Sequence, residues 1–245
     1  MGINESVSIN HAFLKEEFNS ASLLPSAVLN AFQMVAIQHM KPLNIDYATT
    51  YKQGFLWVIT RTKYIVHRQP EIFEKVIIKT WAEKRNVLEL LRHFEITSLT
   101  GEILITGLAG WCLIDVKTRK LAKLNSIDLP CDDTETKSTK STKIEFSKVE
   151  LIETNLLPDI TYQVMPEDID FNNHMNNTVY AKLTEKPLIL PQNKQIKTYQ
   201  VNFIKEAYLN ERIDVYKIFK NNKVLVLGKK NEAEISFSAE VEFMQ

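Results

Sequence analysis

One helical segment precedes a series of β-rich segments, and this order occurs twice along the 245-residue chain. In the first half, Pro25 suits the first turn of a helix and Pro42 ends it. The apolar side chains that recur there at helical spacing are Val28, Ala31, Phe32, Val35 and Ala36. β-rich runs follow at residues 55–66, 73–83, 87–98 and 103–116. Since one helix of about four turns can cover one face of an antiparallel sheet, the order predicts an α+β fold.

The second half repeats this order after a polar segment with almost nothing to bury. Residues 129–143 are rich in Asp, Thr, Ser and Lys, which is typical of a linker. A brief helical segment and further β-rich runs follow at residues 178–186, 196–206, 213–220, 223–229 and 234–243. We therefore predict an N-terminal domain over residues 1–128, a linker over 129–150 and a C-terminal domain over 151–245. The repeat is one of architecture, not of residue identity.

Composition limits the classes of partner. Lys plus Arg and Asp plus Glu each total 30, so the net charge favours neither nucleic acid nor an anionic membrane. We expect no nucleic-acid partner, and any electrostatic docking must be local. The longest uncharged run, residues 103–114, is shorter than the ~20 apolar residues that a membrane helix needs. It is therefore expected to be a buried strand, in which Gly107 and Gly110 permit close packing.

The cysteine content favours a reducing compartment. Cys112 and Cys131 are too few for a disulfide scaffold, and neither lies beside a base as an activated thiol would. The first 15 residues lack a basic segment followed by an apolar run, so we expect no signal or transit peptide and a cytoplasmic location. Glycine-rich nucleotide loops, the Gly-x-Ser-x-Gly elbow and metal-ligand spacing of histidines are missing from the sequence. We expect no cofactor and no metal.

The most unusual segment is Asp-Ile-Asp-Phe-Asn-Asn-His-Met-Asn-Asn at residues 168–177. A calcium-binding EF-hand loop is rejected, because Asn173 stands where that loop needs Gly and Val179 where it needs the closing Glu. Two interpretations remain. In the first, the segment is a turn in which Asn176 or Asn177 caps the following helix. In the second, it is a catalytic site.

The catalytic interpretation depends on three side chains. In an extended segment alternate side chains share a side, so Asp170, Asn172 and His174 would project into one cleft. A histidine can move protons near neutral pH, a carboxylate can orient it, and an amide can donate a hydrogen bond to a carbonyl oxygen. Backbone N–H groups at the start of the next helix would add to an oxyanion site. This set fits acyl transfer or hydrolysis.

The segment resembles the active-site motif of the plant and bacterial acyl-[acyl carrier protein] (acyl-ACP) thioesterases, Asp-x-Asn-x-His-(Val/Met)-Asn-Asn. The rest of the chain is similar to that family at Trp57, Thr80-Trp81, Gly110-Trp111, Asp115-x-x-Thr118-Arg119 and Val201-Asn-Phe-Ile-Lys-Glu-Ala207. The resemblance extends from about residue 11 to the C-terminus, excluding the linker.

The resemblance implies two tandem hot-dog domains, each an antiparallel β-sheet packed around a helix, with the catalytic residues in the second. It implies that Asp170, Asn172, His174 and Glu206 are catalytic. The implied reaction is hydrolysis of fatty acyl-ACP to free fatty acid, which ends chain elongation in fatty acid biosynthesis. Some family members have a cysteine directly after the glutamate. Here that residue is Ala207, so water activated by Glu206 or His174 is the expected nucleophile.

The implied partner is the acyl carrier protein with its 4'-phosphopantetheine-linked acyl chain. Val28, Phe32 and Val35 of the first helix are expected to be mainly core, and part of this face would line the acyl-chain pocket of the first domain. Asn176 and Asn177 are expected to bind substrate from the second. Whether the chain forms a homodimer stays open.

Two basic clusters lie in the first half, at Lys117, Arg119, Lys120 and Lys123 and at Lys84, Arg85 and Arg92. Most such charges are solvated, but the first cluster is a candidate docking patch because carrier proteins are acidic. An acyl-CoA thioesterase is the main alternative, since acyl-CoA has the same pantetheine arm and thioester. A non-catalytic acyl-thioester-binding hot-dog protein is another, whereas a dehydratase has no separate signal.

Overall fold

The computed structural model describes residues 2–130, 144–152, 157–186, 189–231 and 234–244. Its helices are α1 (Pro25–Met40), α2 (Tyr47–Lys52) and α3 (Asn177–Glu185). Its strands are β1 (Val7–Ala12), β2 (Phe55–Val66), β3 (Lys75–Lys84), β4 (Glu89–Ser98), β5 (Ile103–Asp115), β6 (Leu121–Ala122), β7 (Ile160–Gln163), β8 (Ile196–Phe203), β9 (Arg212–Lys220), β10 (Lys223–Lys230) and β11 (Glu234–Phe243). Within these residues, no helix has the length and apolar character needed to cross a membrane.

All the described strands form one antiparallel sheet in the order β1-β3-β4-β5-β2-β8-β11-β10-β9-β7, with β6 beside β5. The two halves meet where β2 pairs with β8, in a register that places Tyr64 opposite Tyr199. These two rings are buried and stack with their centroids 5.4 Å apart. Most of the predicted linker, residues 131–143, lies outside the described residues, and the domain boundaries stay a prediction.

Helix α1 packs against β3 and against α3 of the second half. Pro25 occupies its first turn as predicted, but Leu24 at the N-cap offers no side-chain hydrogen bond. Glu185, at the end of α3, takes that role across the two halves. Its carboxylate accepts from the Ser26 backbone N–H and, at 3.0 Å, from the Ser26 hydroxyl. An anion at this position also complements the positive end of the helix.

The interpretation of Lys84, Arg85 and Arg92 as solvated charges is wrong for Arg92, because this side chain is completely buried. Buried residues alternate along β4, and Arg92 takes an inward position beneath α1. Its Nη1 donates to Nδ1 of His39 at 2.9 Å, and the guanidinium lies 5.2 Å over the Trp111 ring. Burial lowers the pKa of Arg92 to about 9. Charge alone does not show which face of a strand a residue occupies.

Gly107 on β5 lies directly beneath α1, which confirms the predicted close packing. A Cβ there would be 2.3 Å from the Phe32 ring, which stacks on Phe94 with centroids 4.1 Å apart.

We expect Gly107→Ala to lower the free energy of unfolding by about 1–3 kcal/mol through overpacking, measured by urea denaturation. Phe32→Leu should lower the free energy of unfolding less in the Gly107→Ala variant than in the wild type, because the smaller side chain relieves the clash. Strictly additive losses would contradict this cause.

Candidate active site

A cavity of about 530 Å³ lies between the two halves. Much of its apolar wall comes from the first half, through Ile37, Met40, Trp57, Val58, Ile59, Trp111 and Ile114. Polar groups reach it from the second half, through Asp170, Asn172, His174, Asn176, Asn177 and Glu206. An apolar cavity with a few convergent polar groups is the usual form of a small-molecule site.

The segment that carries Asp170, Asn172 and His174 is a turn, so the extended backbone expected from the sequence is wrong. The Asp170 N–H donates to the His174 carbonyl at 3.1 Å, and the Asn173 N–H donates to the Asp170 carbonyl at 3.0 Å. Asn173 has a φ of 63°, a left-handed conformation that asparagine tolerates. The three side chains nevertheless line the same cavity, as the sequence predicts.

Ala207 connects this turn to the chain that follows β8. Its carbonyl accepts from the Met175 N–H at 2.7 Å, and its own N–H donates to the Tyr180 hydroxyl oxygen at 3.1 Å. Both backbone groups of Ala207 are therefore held by the turn and by α3. This places the preceding residue, Glu206, beside His174, with Glu206 Oε1 3.5 Å from His174 Nε2.

Glu206 is surrounded by donors. Its Oε2 accepts from the Tyr208 hydroxyl at 2.8 Å and contacts the Arg119 guanidinium, while Lys230 Nζ donates to its backbone carbonyl at 2.7 Å. Burial alone would raise the pKa of the Glu206 carboxyl. The Tyr208 hydrogen bond and the charges of His174 and Arg119 outweigh burial and hold this pKa below its usual value. Glu206 is therefore ionised at neutral pH.

Asp170 has the opposite balance, since burial raises the pKa of its carboxyl despite a hydrogen bond from Asn172 and the proximity of His174. Its Oδ1 accepts from the Asn172 backbone N–H at 2.8 Å, and its carboxylate also bonds the Asn172 side chain. Oδ1 of Asn172 is buried and has no hydrogen-bond partner in the described structure. An unpaired buried polar atom in a cavity lining is typical of functional sites.

The other predicted binding residues lie in different surroundings. Asn176 and Asn177 line the cavity, and Asn176 Oδ1 also caps α3 by accepting from the Thr178 N–H at 2.9 Å. The capping interpretation is therefore correct for Asn176, while the catalytic interpretation of this segment stays a prediction. Val28 and Val35 are buried in the described core, apart from the cavity lining, and Phe32 borders a smaller cavity of about 20 Å³. A contact of these three residues with an acyl chain stays a prediction.

Two groups that contact the carboxylate of Glu206 were missed from the sequence. Tyr208 carries no motif signal, and the sequence indicates Arg119 only as part of a family-like segment and of a candidate docking patch. Cys112 is buried, and burial raises the pKa of its thiol, which is contrary to the needs of a nucleophile. Cys131 lies outside the described residues. Among the described side chains, no three of His, Cys, Asp or Glu are grouped to bind a metal ion.

Comparison with known proteins finds one family over both halves of the chain. Residues 12–126 match the family model of the acyl-ACP thioesterase N-terminal domain, and residues 156–244 match that of the C-terminal domain. A palmitoyl-acyl carrier protein thioesterase of Arabidopsis thaliana is 24% identical over 210 residues, covering 77% of this chain and 48% of the relative. One from Cuphea hookeriana is 28% identical over 169 residues, covering 62% and 39%. The chain thus spans less than half of these relatives' length.

Solved structures share the whole fold. An acyl-ACP thioesterase from Bacteroides thetaiotaomicron superposes with a TM-score of 0.79 at 23% identity, covering 100% of both chains. The 12:0-ACP thioesterase from Umbellularia californica gives a TM-score of 0.76 at 19% identity, covering 100% of this chain and 98% of its own. These likenesses confirm the predicted α+β double hot-dog fold. Because the two family models together match most of the chain, this protein belongs to the acyl-ACP thioesterase family.

Proposed function

We propose that the protein hydrolyses the thioester of fatty acyl-ACP, releasing free fatty acid and ending chain elongation. The observation that carries this proposal is the pair of His174 and Glu206, 3.5 Å apart on the lining of a cavity with a largely apolar wall. The wall suits an alkyl chain, and the pair suits activation of water at the thioester carbonyl. We also propose the domain division at residues 1–128 and 151–245, in which the first domain supplies the wall and the second the chemistry.

In the proposed mechanism, Glu206 and His174 activate a water molecule, one of them taking its proton while the oxygen attacks the carbonyl carbon. Asn172 and backbone N–H groups at the start of α3 stabilise the oxyanion that forms. Collapse of this intermediate breaks the C–S bond. The departing pantetheine thiolate takes back the proton, so the products are a carboxylic acid and a thiol. Asp170 holds the turn that carries both Asn172 and His174.

The carrier protein is favoured over CoA by the family models for both halves and by the relatives, which are palmitoyl-acyl carrier protein thioesterases. We include a cytoplasmic location in the proposal, supported by the low cysteine content. Cell fractionation would test the location, and sedimentation would show whether two copies pair.

The test is single-turnover release of free fatty acid from acyl-ACP and acyl-CoA of matched chain length. We expect faster release from acyl-ACP, because a carrier protein adds docking contacts to the same pantetheine thioester. Cys112→Ala serves as a control that should retain activity if water is the nucleophile. Equal or faster release from acyl-CoA would favour a CoA thioesterase, and intact thioesters in every reaction would favour an acyl-binding protein.

A further inference from the structure

The tight turn between β5 and β6 fixes the backbone position of Arg119 through hydrogen bonds, although this residue is exposed. Asp115 Oδ1 accepts from the backbone N–H groups of Lys117 and Thr118, at 3.0 and 2.7 Å. The Arg119 N–H donates to the Asp115 carbonyl at 2.9 Å, and Arg119 has a φ of 57°. The motif Asp115-x-x-Thr118-Arg119 is thus a turn that directs one arginine away from the first half.

That arginine reaches the second half at Glu206, 87 residues further along the chain. Its Nη2 contacts Glu206 Oε2, the same oxygen that accepts from the Tyr208 hydroxyl at 2.8 Å. The other oxygen, Oε1, lies 3.5 Å from His174 Nε2. The two carboxylate oxygens therefore have separate surroundings. One is held by two donors, and the other is directed toward the histidine.

We infer that Arg119 is a positioning residue for Glu206, rather than a cation whose role is to dock the carrier protein. This inference rests on the proposed function. Arg119 and Tyr208 together fix the rotation of the carboxylate, so Oε1 stays beside His174 while water attacks. Within the basic cluster, Lys117, Lys120 and Lys123 are also exposed, so the cluster offers docking cations other than Arg119.

The ion pair itself adds little to folding, because the Arg119 side chain is 44% exposed and such pairs contribute little to stability. The ion pair instead holds the Glu206 carboxylate in position, and small misplacements of a catalytic group slow a reaction strongly. It also favours the ionised carboxylate of Glu206. The charged and titratable groups around that carboxylate are His174 and Asp170 of the turn, Arg119, Tyr208, Tyr180 and Lys230.

The test uses an acyl-N-acetylcysteamine thioester, which lacks any carrier protein, alongside acyl-ACP. We expect Arg119→Ala to lower kcat about 10- to 100-fold on both substrates. The acid limb of the kcat profile should move to higher pH, because Glu206 loses a cation that lowers its pKa. Arg119→Lys should keep the acid limb near its original position and recover part of kcat, since it restores the charge without the planar donor pair.

Two further variants separate positioning from docking. Tyr208→Phe removes the other donor to Oε2 and should move the acid limb in the same direction, which also covers the case in which Arg119→Ala fails to fold. Lys120→Ala removes a neighbouring cation that does not contact Glu206, and it shows the effect of a lost docking charge alone, a higher KM for acyl-ACP. The inference is overturned if Arg119→Ala behaves like Lys120→Ala, with kcat and the acid limb on the small thioester unchanged. If the wild type hydrolyses neither substrate, the proposed function itself fails.

Discussion

Replacing His174 by alanine is expected to lower kcat for acyl-ACP about 100- to 10,000-fold, the usual contribution of a positioned acid–base group. The reason is that His174 Nε2 lies beside the ionised Glu206 carboxylate, so removal of the imidazole leaves the water with one partner instead of two. Single-turnover release of fatty acid measures the chemical step directly. Circular dichroism and thermal unfolding would check that the variant keeps its fold.

His93 provides a matched control for this substitution. It forms a second histidine–glutamate pair, with Nε2 3.0 Å from Glu83 Oε1, and its ring stacks on Trp81 outside the cavity lining. His93→Ala removes the same chemical group from a pair that does not face the cavity, so kcat should stay near the wild-type value. Wild-type kcat in His174→Ala, or an equal loss in His93→Ala, would refute a specific role for His174.

The second large effect is expected for Asn172→Ala, which should lower kcat about 100- to 1000-fold, as does the loss of one oxyanion donor elsewhere. Asn172 lines the cavity, and its amide has two N–H groups, so one can donate to the oxyanion while the other interacts with Asp170. The turn itself should survive, because Asp170 Oδ1 accepts from the backbone N–H of Asn172, which alanine also has. The measurement is again single-turnover hydrolysis of acyl-ACP.

Asn86 is the matched control for an asparagine whose role is purely structural. Its Oδ1 accepts from the backbone N–H groups of Leu88 and Glu89, at 2.8 and 2.9 Å, in a turn outside the cavity lining. Asn86→Ala should cost about 1 kcal/mol in stability, the typical value for a lost side-chain cap, without changing kcat. If Asn172→Ala shows the same behaviour, losing stability and retaining kcat, Asn172 is only a turn residue.

The longer elements could be predicted from the sequence because their residue patterns are local. Pro25 marks the start of α1, and β2 (Phe55–Val66) coincides with its predicted range. Short elements were not predicted. Strands β1 and β7 have only six and four residues, so alternation in them is too brief to stand out. Helix α2 (Tyr47–Lys52) is capped by Asp46, whose side chain accepts from the backbone N–H groups of Ala48 and Thr49, but the apolar periodicity of the helix is weak.

At the site, the sequence predicted the polar side chains of the second half that line the cavity, but neither its apolar wall nor the geometry that brings these groups together. The spacing of Asp170, Asn172 and His174 suggested an extended segment, whereas the structure has a turn closed by backbone hydrogen bonds. Arg119 could not be assigned to Glu206, because their contact depends on how the two halves meet. The same limit applies to Glu185, whose bond to Ser26 joins two helices that are distant in sequence.

The pairing of β2 with β8 within a single chain has a consequence for how the family can diversify. In a symmetric dimer, one gene encodes both subunits, so every substitution appears in both of them. A substitution that reshapes the pocket in one subunit therefore also changes the equivalent position in the subunit that supplies the catalytic residues. Here Ile59 and Trp111 on the wall are encoded separately from Asp170 and His174. Under the proposed function, selection can therefore adjust the length of the released acid and the rate of its release as independent traits.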